Sequence, residues 1–145
     1  MTEALRFAFD LDCAPDHAFN VWTSRIDTWW PRDHTVGEAV SVQLVAGVGG
    51  RIYERDADGT EHDWGRVTAW DPPRRLAYTW HLGREASEAT EVEVRFVTVG
   101  DGTRVEIVQD GWERFGERAG PWRDRNHAGW SSLLPHFQDA IERNG

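Results

Sequence analysis

The chain has 145 residues, a net charge of −9 and a single cysteine, Cys13. This length is typical of one domain with a substantial buried core, so we expect a single domain over residues 1–145. All 16 basic residues are arginine, and 25 acidic residues outnumber them. The acidic balance argues against a nucleic-acid partner, because phosphate contacts need clustered positive charge.

A lone cysteine excludes an internal disulfide and a zinc site built from several cysteines. The N-terminus has no basic segment followed by an apolar core, and no apolar run is as long as a membrane span. We therefore expect a cytoplasmic protein without membrane insertion. Nine tryptophans are many for one small core. Because tryptophan combines a large apolar area with a polar N–H, their number favours an aromatic-lined cavity beside an aromatic core.

The N-terminal part of the chain predicts a strand followed by a short helix. Apolar and polar residues alternate over Leu5–Leu11, as in a half-buried strand. Pro15 is suited to the first turn of a helix, and the apolar residues that follow share one helical face as far as Trp22. Pro31 ends the helical region, because proline disfavours helical conformation at the preceding residue. Residues 32–38 are predicted to form a loop.

Six further strands are predicted between turns rich in glycine, proline and aspartate. They are Val40–Val45, Arg51–Arg55, Glu61–Trp70, Arg74–His81, Thr90–Val99 and Thr103–Trp112. Thr90–Val99 has the clearest alternation of apolar and polar residues. Because hairpin follows hairpin, the sheet is predicted to be antiparallel. A charged loop is predicted at Glu113–Gly120.

The C-terminal segment Trp122–Ile141 predicts the long helix of this chain. Its apolar residues recur at steps of three and four, which places them on one helical face. A helix of this length spans about 30 Å, enough to cover a sheet. Pro135 lies inside the pattern and predicts a kink or a break, because proline lacks an N–H and crowds the carbonyl of Ser131. Segregated helices and an antiparallel sheet predict an α+β fold.

Several short motifs recur along almost the whole chain in a characteristic order. They are Gly49-Gly50-Arg51, Gly65-x-Val67-x-x-Trp70-Asp71-Pro72-Pro73-Arg74-Arg75-Leu76 with Thr79-Trp80, Asp101-Gly102-Thr103 before a strand that ends at Gly111, and Gly129-Trp130 ahead of Leu133-Leu134. Their order and spacing resemble the START-like, helix-grip (SRPBCC) superfamily, most closely the branch related to the C-terminal domain of the Hsp90 ATPase activator.

The resemblance implies a curved antiparallel sheet of six or seven strands wrapped around the C-terminal helix. One or two short helices follow the first strand, and an elongated cavity lies between sheet and helix. Ligands of such proteins are usually apolar or amphipathic. The resemblance says little about the individual function, because the fold hosts lipid carriers, polyketide cyclases and chaperone cofactors.

Aromatic and neighbouring residues on the strands and the long helix are the candidates for a ligand-binding site. The predicted cavity residues are Trp30, Tyr78, Trp80, Gln109, Trp112, Trp130, Leu134 and Phe137. Gln109 shares a strand face with Val105 and Ile107, so burial would require a hydrogen-bond partner. A ligand could supply that partner, and so could an internal hydrogen bond.

Four charged or titratable side chains are possible polar anchors. His81 ends a predicted strand near the cavity mouth, and His136 is adjacent to Pro135 on the long helix. Arg51 and Arg66 could hold a carboxylate through two parallel hydrogen bonds. The alternative for both arginines is a solvated strand face with acidic residues opposite.

Sequence motifs for catalysis and for metal binding are missing. The chain has no His-Glu-x-x-His, P-loop or Gly-x-Ser-x-Gly motif, and its six histidines show no metal-ligand spacing. Asp56-Ala57-Asp58-Gly59 resembles the start of a calcium loop but lacks the later ligands, so we predict a hairpin turn there. We expect neither a bound metal nor a cofactor.

Three functions are compatible with these features. The first is binding of a small apolar or aromatic ligand in the cavity between the sheet and the C-terminal helix, with few polar anchors. The second is a polyketide cyclase/dehydratase-like enzyme, which needs an acid or base in that cavity, with His81, His136 or an inward carboxylate as candidates. The third is a chaperone-associated interaction module that uses the outer surface. A homodimer is possible in each case.

Overall fold

The computed structural model describes residues 2–143. One antiparallel sheet has the spatial strand order β1-β7-β6-β5-β4-β3-β2. The strands are β1 (Leu5–Leu11), β2 (Ala39–Leu44), β3 (Arg51–Asp56), β4 (Glu61–Asp71), β5 (Arg75–Trp80), β6 (Thr90–Val99) and β7 (Gly102–Asp110). The two α-helices are α1 (Pro15–Trp22) and α2 (Ala119–Arg143). The predicted α+β helix-grip fold is confirmed.

The two edge strands, β1 and β2, are consecutive in sequence, so the segment between them must cross the whole sheet. Helix α1 begins this crossing, with Pro15 in its first turn as predicted. Its buried residues include Phe19 and Trp22. Short 3₁₀ helices at Ile26–Thr28 and Arg32–His34 complete the crossing, so the loop predicted at 32–38 is partly 3₁₀ helical.

Alternation along the central strands gives the sheet one apolar face. In β6 and β7 the paired residues Val94 with Ile107, and Phe96 with Val105, are all buried. The residues between them, such as Arg95 and Glu106, point the other way and pair with each other in register. The apolar face needs a cover, and α2 provides it.

The C-terminal half of α2 packs into the core between the sheet and α1. Phe137 is fully buried, and its ring centroid lies 4.9 Å from that of Trp22 and 5.2 Å from that of Trp29. Burial of one such large apolar side chain contributes about 1.5–3 kcal/mol to stability. These ring contacts fix the position of α2 on the sheet.

Helix α2 continues without a break through Pro135, so the predicted division of the helix does not occur. Pro135 is exposed. Its missing N–H therefore lies on the solvent side of the helix, where water can satisfy the freed carbonyl. The charged loop predicted at Glu113–Gly120 is wrong for most of its length, because Trp112–Arg118 forms a 3₁₀ helix. Gly116, with φ of 56°, lets the chain turn into α2.

Within residues 2–143, no helix combines the length and the apolar character required to cross a membrane.

Candidate functional site

A cleft of about 490 Å³ opens between the N-terminal half of α2, the end of β5 and the loop that precedes β2. Helix α2 contributes Trp122, Arg125, Asn126, Gly129, Trp130 and Leu133 to its lining. The end of β5 and the turn after it contribute Trp80, Leu82, Gly83 and Arg84, and the loop contributes Trp30, His34, Thr35 and Val36. Three segments far apart in sequence therefore form one concave site.

Four tryptophans form the aromatic walls of this cleft. The ring centroids of Trp30 and Trp80 lie 5.6 Å apart, and Trp130 packs against the core through Trp22 at 6.1 Å. Trp122 stacks on Phe115 at 5.6 Å. Rings held this rigidly lose little side-chain entropy when an aromatic ligand stacks between them.

The cleft lies at one end of the space between the sheet and α2, and large buried side chains occupy the middle of that space. Among the predicted cavity residues, Trp30, Trp80 and Trp130 line the cleft. The other five lie in the buried core and outside the cleft lining: Tyr78, Gln109, Trp112, Leu134 and Phe137. Burial in the core also raises the pKa of Tyr78 well above its ordinary value.

Gln109 holds the floor of the cleft in place through an internal hydrogen-bond network. Its Oε1 accepts from Trp130 Nε1 at 2.7 Å, and its Nε2 donates to Thr90 Oγ1 at 2.8 Å and to Asn126 Oδ1 at 3.3 Å. Gln109 therefore finds its partners inside the protein. It orients the Trp130 ring without lining the cleft itself.

Two guanidinium groups surround the Trp122 ring at the α2 side of the cleft. Cζ of Arg84 lies 4.3 Å and Cζ of Arg125 lies 5.0 Å from the ring centroid, within the range of cation–π attraction. Arg84 donates through Nη2 to both carboxylate oxygens of Glu88, at 2.8 and 2.9 Å. These hydrogen bonds hold the pKa of Glu88 below its ordinary value, and Arg118 contacts the same carboxylate at 2.8 Å.

Unused hydrogen-bond donors remain around the cleft. Nε of Arg84 is buried and has no partner among residues 2–143. Within the described chain, the guanidinium of Arg125 forms no ion pair, and its contact is the Trp122 ring. The indole N–H groups of Trp80 and Trp122 likewise meet no acceptor in residues 2–143, whereas Trp30 donates to the His34 carbonyl at 3.0 Å.

His34 lies on the rim and is paired with its neighbour in sequence. Its Nδ1 is 2.8 Å from Oδ1 of Asp33, and this contact lowers the pKa of the Asp33 carboxyl. If Nδ1–H donates to Asp33, the other ring nitrogen, Nε2, is an acceptor. His34 was not among the predicted site residues, because its role depends on a loop that only the fold brings to the cleft.

The four predicted polar anchors lie outside the cleft lining. Arg51 pairs with Asp63 at 2.6 Å and Glu61 at 3.0 Å, which is the solvated strand face weighed as the alternative. Arg66 is exposed and contacts the carbonyl of Gly49. His136 is exposed on α2. His81 is nearest to the cleft, with Nδ1 3.1 Å from the carbonyl of Arg84.

A buried carboxylate holds the rim loop. Glu54 is fully buried and accepts from the backbone N–H of Val36 at 2.6 Å, that of Gly37 at 2.9 Å and Trp64 Nε1 at 2.9 Å. Three donors satisfy the buried carboxyl oxygens of Glu54. Glu54 thus fixes the loop that carries His34.

Glu54, Asp56 and His62 are a group within residues 2–143 whose potential metal-ligand atoms lie within 4.8 Å of one another. His62 Nε2 is already 3.2 Å from Asp56 Oδ2. The oxygens of Glu54 already receive three N–H donors, whereas Oδ1 of Asp56 is buried and has no partner among the described residues. No spacing in the sequence indicates the group, since it forms across two paired strands.

A second depression of about 470 Å³ lies between α1 and the Pro72-Pro73 turn, with Phe19 and Trp70 in its lining. The hydroxyls of Thr23 and Ser24 there donate to carbonyls of the same helix, at 2.8 and 3.1 Å. Its lining contains no arginine and no histidine. The end cleft is therefore the better candidate for ligand recognition.

Comparison with known proteins places these observations in a family. The chain matches the family described as "Activator of Hsp90 ATPase homolog 1-like protein" over residues 12–142. No curated protein matches the chain. Among solved structures, an anthrahydroquino-γ-pyrone synthase, Txn09, complexed with SUM, is 38% identical, with coverage of 83% of this chain and 84% of that one and a TM-score of 0.59.

Two further solved structures are similar over nearly the whole chain. CalC, a self-sacrificing resistance protein from Micromonospora echinospora, is 28% identical, with coverage of 98% and 96% and a TM-score of 0.70. The Aha1 dimer from Colwellia psychrerythraea is 17% identical, with coverage of 97% of both chains and a TM-score of 0.69. The last comparison bears on the fold alone.

Proposed function

Because the chain belongs to the family of Activator of Hsp90 ATPase homolog 1-like proteins, whose fold forms a ligand-binding cavity, we propose that it binds a small fused aromatic molecule in the end cleft. The observation that carries the proposal is the set of four tryptophans around one opening of about 490 Å³. That volume suits a drug-sized ligand held mainly by apolar and aromatic contact. The synthase that is 38% identical is named for a fused aromatic ring system, which supports the same ligand class.

Gly129 offers a direct test, because it lines the cleft and an added Cβ there meets nothing within 4 Å. Gly129→Phe should fill the cleft while leaving the helix intact, since glycine is the poorer helix former. We expect affinity for anthracene-2-carboxylate, measured by isothermal titration calorimetry, to fall at least about tenfold, which is 1.4 kcal/mol.

Gly120→Phe is the matched control. Gly120 lies in the same helix, an added Cβ there also meets nothing within 4 Å, and it is outside the cleft lining. Its affinity should equal that of the wild type. Unchanged affinity in Gly129→Phe, or no binding by the wild type, would refute ligand binding in this cleft.

A cyclase-like enzyme is the second candidate, and the pairing of His34 with Asp33 on the cleft rim favours it. In this scheme Nε2 of His34 takes a proton from the bound ligand, and the imidazolium that forms is stabilised by the Asp33 carboxylate. Arg84 and Arg125 would stabilise the oxyanion left on the ligand. No acid or base from the predicted set, His81 or His136, lines the cleft.

Deuterium exchange at the α-carbon of 2-tetralone, followed by NMR in D₂O, tests proton abstraction directly. Wild-type protein should accelerate the exchange, and His34→Gln should remove most of the acceleration while ligand affinity persists. His136→Gln, an exposed histidine outside the cleft, is the control and should behave as the wild type. Equal rates with and without protein would exclude this role for His34.

Two other expectations remain hypotheses. A homodimer is suggested by the relative solved as a dimer, and light scattering of the purified protein tests it. Chaperone association is suggested by the family description. The large apolar side chains exposed in residues 2–143 are six valines: Val36, Val40, Val45, Val48, Val97 and Val99.

A further inference from the structure

Several hydrogen-bond donors without a partner line the cleft along α2 and the end of β5. Nε of Arg84 is buried without a partner, and the Arg125 guanidinium and the indole N–H groups of Trp80 and Trp122 find no acceptor within residues 2–143. A buried N–H without an acceptor is costly, so a bound group that accepts hydrogen bonds there gains free energy. Among the acceptors of the lining, Asn126 Oδ1 is already taken by Gln109 Nε2 at 3.3 Å, and the side chains of His34 and Thr35 lie on the loop before β2.

The charge at this side is positive although the whole chain is acidic. Arg84 and Arg118 share one carboxylate, that of Glu88, and Arg125 has no carboxylate partner among the described residues. Guanidinium groups bind carboxylates and phenolates through short, charge-assisted hydrogen bonds. A low-dielectric aromatic surface beside them strengthens the attraction.

We infer that the ligand of this cleft is an aromatic oxyanion, a fused ring system with a carboxylate or an ionised phenol. Arg125 and Arg84 hold the oxygen, and the rings lie among Trp30, Trp80 and Trp130. This inference rests on the proposed function, because it specifies the chemistry of the ligand in the same cleft. It assigns to Arg84 and Arg125 a role for which the sequence motifs give no sign.

Calorimetry with a matched pair of compounds tests the inference. Anthracene-2-carboxylate and its methyl ester share the ring system, and only the first carries a charge. The carboxylate should bind wild-type protein about tenfold or more tightly than the ester, as expected for a charge-assisted hydrogen bond. In Arg125→Met this preference should shrink several-fold, because the carboxylate loses a charge-assisted hydrogen bond and the ester at most a neutral one, while methionine keeps an apolar contact with Trp122.

Two further variants separate local recognition from net charge. Arg66→Met removes the same charge from an exposed strand position outside the cleft, so the preference for the carboxylate should persist. Arg84→Lys keeps the positive charge beside Glu88 but removes the Nε donor, so carboxylate affinity should fall roughly fivefold, the equivalent of one hydrogen bond.

The outcomes distinguish this inference from the proposed function. If both compounds bind equally and Gly129→Phe abolishes both, the cleft binds aromatic ligands and the oxyanion role of the arginines is wrong. A preference that Arg125→Met leaves intact also overturns the inference. If neither compound binds the wild type, the proposed function and the inference both fail.

Discussion

At the scale of single residues, two buried polar side chains determine where tryptophan rings lie. Gln109 accepts from the indole N–H of Trp130, and Glu54 accepts from that of Trp64. An indole N–H in a dry core needs an acceptor, so each pair fixes one ring in one orientation. Because Trp130 lines the cleft, Gln109 also fixes the position of the cleft floor.

Replacing Gln109 by leucine should destabilise the protein. Leucine has a similar volume, but the Trp130 N–H then lacks an acceptor in the core, which costs about 1–3 kcal/mol. Urea unfolding followed by tryptophan fluorescence measures the loss. Gln43→Leu, at an exposed position of β2, should change stability by less than roughly 0.5 kcal/mol. An equal effect of the two substitutions would show that the network contributes nothing.

At the scale of elements, α2 performs two separate tasks. Its N-terminal half, from Trp122 to Leu133, lines the cleft, and its C-terminal half packs Phe137 and Ile141 into the core. Because the C-terminal half anchors the helix in the core, the N-terminal half can carry small or charged residues at the cleft, such as Gly129 and Arg125. Pro135 lies between these two halves, on the exposed face of the helix, which explains why the helix tolerates it.

Replacing Pro135 by alanine should stabilise the protein. The substitution restores a backbone donor and removes crowding within an otherwise continuous helix, with an expected gain of about 1–3 kcal/mol. Thermal and urea unfolding measure the gain, and ligand affinity should not change because Pro135 is outside the cleft lining. His136→Ala, at the adjacent exposed position, is the control. A loss of stability in Pro135→Ala would mean that the proline is required for the packing of α2.

At the scale of the whole molecule, ion pairs on the outer face of the sheet neutralise much of the acidic surface. Arg55 lowers the pKa of Glu61, with a further contribution from Arg51, and Arg95 and then Arg75 lower that of Glu93. Each pair is exposed enough to contribute little by itself. Together, these ion pairs make the free energy of unfolding depend on pH.

The protein should lose stability at acidic pH. A carboxyl whose pKa is lower in the folded than in the unfolded state stabilises the fold fully above the unfolded value, ordinarily 4.5 for glutamate, and the contribution disappears as pH falls through the folded value. The free energy of unfolding should therefore be nearly constant above about pH 5 and fall below it. Urea unfolding at a series of pH values measures this, and Glu61→Gln should flatten the acid limb. A stability that rises on acidification would contradict the assignment.

The alternation of apolar residues determined most of the architecture from the sequence alone. Leu5–Leu11 and Thr90–Val99 were predicted with the bounds that the structure has, and the others differ by a few residues at their ends. The helical period located α2 and its buried face. These features are local, since a period of two or 3.6 residues follows from backbone geometry within one segment.

The location of the candidate cleft was decided by the tertiary structure. Of the predicted cavity residues, three line the cleft, and the other five are buried in the core among large neighbouring side chains. His34, Arg84 and Arg125 lie about 40 to 50 residues apart in sequence and meet only when the crossing segment, the turn after β5 and α2 converge. Periodicity predicts which side of a segment is buried, but the packing of all segments decides where a gap remains and which charges are left without partners.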